Sequence, residues 1–137
     1  MNTIDTSQYP DQLNSKTEQI KQTFSEFTVP ELEVFASKPS HYRLRAEFRI
    51  WHTDDRCHYA MTEKGNKKNI YEVTDFPIAS ELINHLMPGL LHELNNTPTL
   101  KRRLFQAEFL TTLSGDALIT LIYHRQLDDE WKELALA

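Results

Sequence analysis

The sequence predicts an α+β fold: an antiparallel or mixed sheet of about five strands with helices packed on one face. Two observations carry this. Segments 41–51, 57–61, 69–73, 104–113 and 117–124 read as strands, mostly joined by short turns. Between and around them lie three stretches whose apolar residues recur at helical spacing. The element order is helix, three strands, helix, hairpin, helix. The 137 residues suit a single domain, 1–137, able to bury a core.

Residues 7–27 read as the first helix, with Leu13, Ile20, Phe24 and Phe27 as its apolar stripe. Val29-Pro30 is expected to end it, because the residue before proline is pushed out of the α region. The strand 41–51, HYRLRAEFRIW, alternates with period two. Tyr42, Leu44, Ala46, Phe48 and Ile50 face one way; His41, Arg43, Arg45, Glu47, Arg49 and Trp51 face the other. One face is therefore expected to be buried and the other cationic. Lys64-Gly65-Asn66 reads as the turn between the next two strands. Asp75 and Pro77 are expected to open a helix that buries Leu82, Ile83, Leu86, Leu90 and Leu94, with a kink or break near Met87 caused by Pro88-Gly89. Ser114-Gly115-Asp116 turns the closing hairpin, and Asp128 caps a last helix through Trp131 and Leu134.

Composition narrows the function classes. Hydrophobic residues make up 39% and charged residues 26%, ordinary for a soluble globular protein. No apolar run approaches the roughly 20 residues that span a bilayer. The polar N-terminus lacks a secretory h-region. Cys57 is the only cysteine, so no internal disulfide can form. The expectation is a cytoplasmic protein with no membrane partner. The net charge of -5 argues against strong non-specific nucleic-acid binding. The charge is nevertheless segregated. Residues 38–68 carry eight basic and four acidic groups, and 101–125 four basic and two acidic. Acidic stretches flank both zones. Such a pattern steers a phosphate backbone to one face, or is chance clustering on solvated faces.

Several chemistries lack their motifs. Gly65, Gly89 and Gly115 stand far apart, so no glycine-rich turn exists to cradle a nucleotide-type cofactor. The six histidines show neither HExxH nor CxxC context, although a turn could bring His52 and His58 together; no metal is expected. Cys57 as a nucleophile would need an activating partner, and its neighbour His58 points to the opposite face of a strand.

The positive signal is the strand face with Arg43, Arg45, Arg49 and Trp51. Arginine forks suit phosphate oxygens and stack on bases, and tryptophan adds a platform. Lys101, Arg102 and Arg103 form a second cluster. Phe105 follows it, and His124-Arg125 is expected to lie across the hairpin nearby. Basic groups interleaved with aromatics on a sheet often hold looped RNA. Two alternatives stay open. The strand arginines can instead pair with Glu47 and other acids, and Phe105 can be a core residue, since Ala107 and Phe109 share its parity.

The segment His41 to His52 (HYRLRAEFRIWH) resembles a signature of the bacterial tRNA (uracil-5-)-methyltransferase family. The likeness continues through Phe76-Pro77, Ala79 to Asn84, Leu104-Phe105-Gln106, Leu110 to Ser114, Tyr123-His124 and Leu127 to Trp131. The resemblance implies an enzyme that uses S-adenosylmethionine to make 5-methyluridine in the T loop of tRNA. In that family a cysteine attacks carbon 6 of a flipped base and a glutamate later removes the carbon-5 proton. Those motifs belong to a Rossmann-like domain absent from this chain. The resemblance therefore carries over T-arm recognition by an N-terminal, RNA-binding portion. It gives this chain no catalytic or cofactor-binding residue and no activity alone. Arg49, Phe105 and His124 align with family positions associated with the bound T arm. Pro88-Gly89 departs from the uninterrupted helix the family leads one to expect. A monomer is the expected state. The competing readings are a stand-alone RNA-binding or RNA-folding module without catalysis, and a protein-interaction domain whose arginines meet acidic partners.

Overall fold

A computed structural model describes residues 4–63 and 65–137. Lys64, in the expected turn, lies outside the described residues. A 3₁₀ turn, Thr6–Gln8, leads into helix α1, Tyr9–Thr23. Strands β1 (Arg45–His52), β2 (Cys57–Glu63) and β3 (Asn66–Glu72) follow. Helices α2 (Glu81–Asn96) and α3 (Pro98–Lys101) come next, then strands β4 (Leu104–Thr111) and β5 (Ala117–Tyr123) and helix α4 (Asp129–Leu136). The five strands form one antiparallel sheet in the order β3-β2-β1-β4-β5. The α+β reading and the five strands hold.

The period-two pattern of β1 sorts its side chains as expected. Ala46, Phe48 and Ile50 are buried, while Arg45, Glu47, Arg49 and Trp51 are exposed. The buried face meets α2 through Ile83, Met87 and Leu94. Phe48, Tyr59, Phe76 and Phe109 interlock at its centre with ring centroids 5.3–6.0 Å apart. The buried Tyr59 hydroxyl donates to the Met87 carbonyl at 2.8 Å, satisfying a polar group inside the core. Asn95 of α2 ties the helix to β2, accepting from Cys57 N–H and donating to Cys57 O. The opposite face of the sheet is left open.

Besides shifts of one to three residues at the ends of β2, β3, β4 and β5 and the unexpected short helix α3, four features differ from expectation. The first strand begins at Arg45, not His41. His41 adopts a left-handed φ of 54° and donates from Nδ1 to Ala79 O; Arg43 makes a single parallel bridge with Ala79. These contacts turn residues 41–44 toward the entry of α2, and Tyr42 is exposed. Helix α1 stops at Thr23, where the following turn closes through Phe27 N–H to Phe24 O, well before Val29-Pro30. Its expected apolar stripe is not core: none of its residues is buried, and Ile20 and Phe24 are exposed, as is Phe27 beyond it. Helix α2 opens at Ser80, whose Oγ accepts from Ile83 N–H; Asp75 and Pro77 lie in the preceding turn. Finally, α2 runs unbroken through Pro88 and Gly89. One missing N–H costs a helix about 3 kcal/mol, which apolar burial on both sides of the proline can offset. The closing hairpin and the Asp128-capped α4 are as expected, with Gly115 at φ 95° in the turn.

Candidate nucleic-acid interface

The open sheet face brings three residues from distant positions into contact. Their meeting depends on an irregularity in β4. Leu104 pairs with Tyr123 and Gln106 with Ile122, so Phe105 is an extra residue in the strand. The bulge breaks the parity that would have sent Phe105 inward with Ala107 and Phe109. Leu104 and Ala107 are buried, whereas Phe105 and Gln106 are half-buried. The Phe105 ring stacks on the His124 ring, centroids 4.2 Å apart and planes 21° from parallel. The guanidinium carbon of Arg49 lies 4.8 Å from the Phe105 centroid. Such a cation–π contact is worth about 0.5–1 kcal/mol at an exposed site. The sequence left Phe105 open between a stacking and a core role; the bulge gives it to the open face.

Around this ladder lies a cleft of about 320 Å³, whose lining includes Arg49, Trp51, His52, Arg103, Phe105 and His124. Each wall has a local cause. Arg103 sits at φ 57°, a conformation uncommon for a residue with a Cβ. It is held there by His124 N–H donating to Arg103 O at 3.0 Å. His52 donates from Nε2 to Leu104 O at 2.8 Å, pinning the end of β1 to the start of β4.

The sequence places Arg125 with His124 across the hairpin but assigns it no role of its own. Its side chain is only 7% exposed, although it adjoins an open cleft. It donates to Thr99 O, Arg102 O and Gln126 O at 2.9–3.2 Å, and pairs with Asp128 at 3.6 Å. It thereby fixes the segment carrying Arg103 from below. The available signal was a basic pair after a strand, which does not reveal which member turns inward.

The remaining candidates separate by partner. Arg45 bridges Glu47 at 3.2 Å and Glu108 at 3.0 Å. Those two carboxylates face one another in register across β1 and β4. The hydrogen bond and charge of Glu108, then Glu47, raise the Arg45 pKa above its ordinary value. Arg45 thus follows the ion-pair alternative. Arg43 is exposed before the strand, and its backbone bridges Ala79. Lys101 spends its ammonium on Asp55 O at 2.7 Å, and Arg102 is exposed at the end of α3. Of the nine sequence candidates, Arg49, Trp51, Arg103, Phe105 and His124 share the cleft; Arg43, Arg45, Lys101 and Arg102 do not line it.

Cys57 is fully buried, and desolvation pushes its thiol pKa up despite Lys101 and Arg56. A buried, protonated thiol is a poor nucleophile. Among the described residues, no group of three or more His, Cys, Asp or Glu is arranged to hold a metal ion.

Residues 8–137 match the model of the family described as tRNA (Uracil-5-)-methyltransferase. The chain belongs to that family. It is 56% identical over 132 residues to the tRNA/tmRNA (uracil-C(5))-methyltransferase of Acinetobacter baylyi, covering 94% of this chain and 37% of that relative. It is 50% identical over 138 residues to the enzyme of the same name from Chromohalobacter salexigens, covering 98% and 37%. Against that of Photobacterium profundum the figures are 50% over 129 residues, 94% and 35%. The chain thus spans little more than a third of the length of the curated relatives it matches. The family membership read from the blocks beginning at His41 is established.

Proposed function

We propose that residues 1–137 form the RNA-recognition domain of a tRNA (uracil-5-)-methyltransferase, holding the T arm of tRNA while a loop uridine leaves its stack. The observation that carries this reading is the pre-assembled ladder of Arg49, Phe105 and His124 on an otherwise open sheet. Extruding a base costs a few kcal/mol of unstacking. An aromatic platform returns about 1–3 kcal/mol per stacked base. The two are of one size, so the ladder can take up much of the stacking that the loop loses. Because the rings are already ordered, little further entropy is lost on binding. Arg49 and Arg103 add charge for the phosphates, and Trp51 extends the apolar wall. The acidic zones elsewhere keep RNA from lying on other faces. On this reading the protein works in the cytoplasm, as a monomer.

Forming 5-methyluridine calls for S-adenosylmethionine, and the described residues do not fit that group. Gly65 and Gly115 sit in hairpin turns and Gly89 lies inside α2. A Cβ built on any of the three meets no heavy atom within 4 Å, so none lines a close backbone cradle. Cofactor binding and covalent chemistry therefore belong, in this proposal, to the part of the relatives' length that this chain does not span. The chain's own residues bind, orient and stack. The test is the purified 137-residue chain with a T-arm hairpin and labelled S-adenosylmethionine. Hairpin binding without cofactor uptake or methyl incorporation is expected. Methyl transfer by this chain, or equal affinity for hairpins of unrelated loop sequence, contradicts the proposal.

A further inference from the structure

The open face holds a second cleft of about 240 Å³, and Arg49 lines both. The register explains it. Arg49 stands directly opposite Ala60 in β2 and Gln106 in β4, so all three share the open face. Ala60 projects only a methyl group beside the long Arg49 side chain. Thr62 and Ile70, paired across β2 and β3, close the far end, and Glu47 forms one side.

The chemistry of the lining selects the kind of occupant. Ile70 supplies an apolar wall above the buried Ala60 methyl, and Arg49 a planar cation that stacks on flat rings. Thr62 has a hydroxyl, and Gln106 keeps its amide oxygen as an acceptor, because its Nε2 donates to Glu108. A phosphate entering here would meet Arg49 as the one cation among the lining residues, beside a Glu47 carboxylate that Arg45 already pairs. A neutral planar base needs no further cation, and its N–H edge suits those acceptors.

We propose that this second cleft receives a nucleobase of the same RNA, next to the one held at the ladder, with the Arg49 guanidinium as the shared wall. The proposal rests on the RNA reading above, and adds a second subsite that the ladder does not supply. Phe105 already covers one side of that guanidinium, so the base of the second cleft takes the other; splayed loop bases are how single-stranded RNA is usually read.

The test crosses a protein change with an RNA change. Ala60→Leu fills the cleft from its floor, and Thr62→Phe fills it from its rim should the first variant fold poorly; melting curves decide which is used. A T-arm hairpin is prepared with each loop base removed in turn. In the wild-type chain at least two abasic positions should weaken binding, each by about five- to a hundredfold. In the filled variant one of them should become neutral, while the position served by the ladder keeps its effect. Phe105→Ala should show the reverse selectivity. If the filled variants bind every hairpin as the wild type does, the second subsite is wrong while the ladder stands. If the wild-type chain binds no T-arm hairpin, the RNA reading fails and takes this proposal with it.

Discussion

The rings of Phe105 and His124 stack with centroids 4.2 Å apart, although 18 residues separate them in sequence. Two features produce the contact. The bulge at Phe105 turns its ring to the open face, and the bond from His124 N–H to Arg103 O sets the height of the imidazole. Arg49, from the central strand, then lies over the Phe105 ring. Side chains from β1, β4 and the residue after β5 thus make one surface.

Arg49 and Arg45 sit two residues apart on the same strand face but should behave differently. Arg49→Ala should weaken T-arm binding and flatten its dependence on log salt by about one unit of slope or less. Arg45→Ala should leave binding unchanged and lower the melting temperature, because Glu47 and Glu108 then face one another unneutralised. That loss should shrink in high salt. Binding isotherms at several salt concentrations, beside thermal melts, separate the two. A salt slope altered by Arg45→Ala and not by Arg49→Ala would reverse the assignment.

Arg125 is expected to act through its neighbours. Removing it takes a donor from three backbone carbonyls, of which the bond to Thr99 O is part-buried and the other two are exposed to water, at a cost of about 0.5–1.5 kcal/mol. Arg125→Ala should therefore lower stability and also loosen Arg103 and His124. Arg125→Lys keeps the charge but lacks the fork, so it should restore stability better than RNA affinity. Amide exchange of residues 102–104 reports the loosening directly. Normal protection there in Arg125→Ala would remove Arg125 from the account.

Cys57 gives an alkaline signature. Burial raises its thiol pKa above the ordinary value of 9.0. As pH rises through 9.0 the unfolded chain releases this proton while the folded chain keeps it. The unfolded state then binds fewer protons, so stability falls with rising pH. Cys57→Ala should flatten that decline between about pH 9 and 10 in denaturant melts. An unchanged slope would contradict the burial effect. In the complete methyltransferase, Cys57→Ser should retain methyl transfer, since the thiol touches no activating partner on the open face; loss of many orders of magnitude would make it the nucleophile.

Much of this was legible in the chain. The alternation in RAEFRIW fixes which residues of β1 face out, and Ser114-Gly115-Asp116 marks the hairpin, because strand parity and positive φ are local properties. The bulge was not legible. Parity alone assigns Phe105 to the core, and only the cross-strand register exposes the extra residue. The start of β1 was misplaced for a related reason: His41 and Arg43 continue the alternation, but their hydrogen bonds go to Ala79 and its neighbours instead of β2 or β4. Pro88 signals a kink or break because its cost is local, whereas the burial of Met87 and Leu94 around it depends on the rest of the fold. The role of Arg125 depends on carbonyls 23 and 26 residues away, which no local pattern encodes.

The affinity of the 137-residue chain for a fluorescent T-arm hairpin, wild type against Phe105→Ala, tests the central claim most directly. Phe105 is half-buried on the open face, so the variant should keep its circular dichroism and melt close to the wild type. Its affinity should fall by about 1–3 kcal/mol with little change in salt slope, because stacking and not charge is removed. Phe105→Tyr should bind nearly as the wild type. If Phe105→Ala binds the hairpin as tightly as the wild type at every salt concentration, the ladder does not hold RNA. If it unfolds instead, Phe105 belongs to the core.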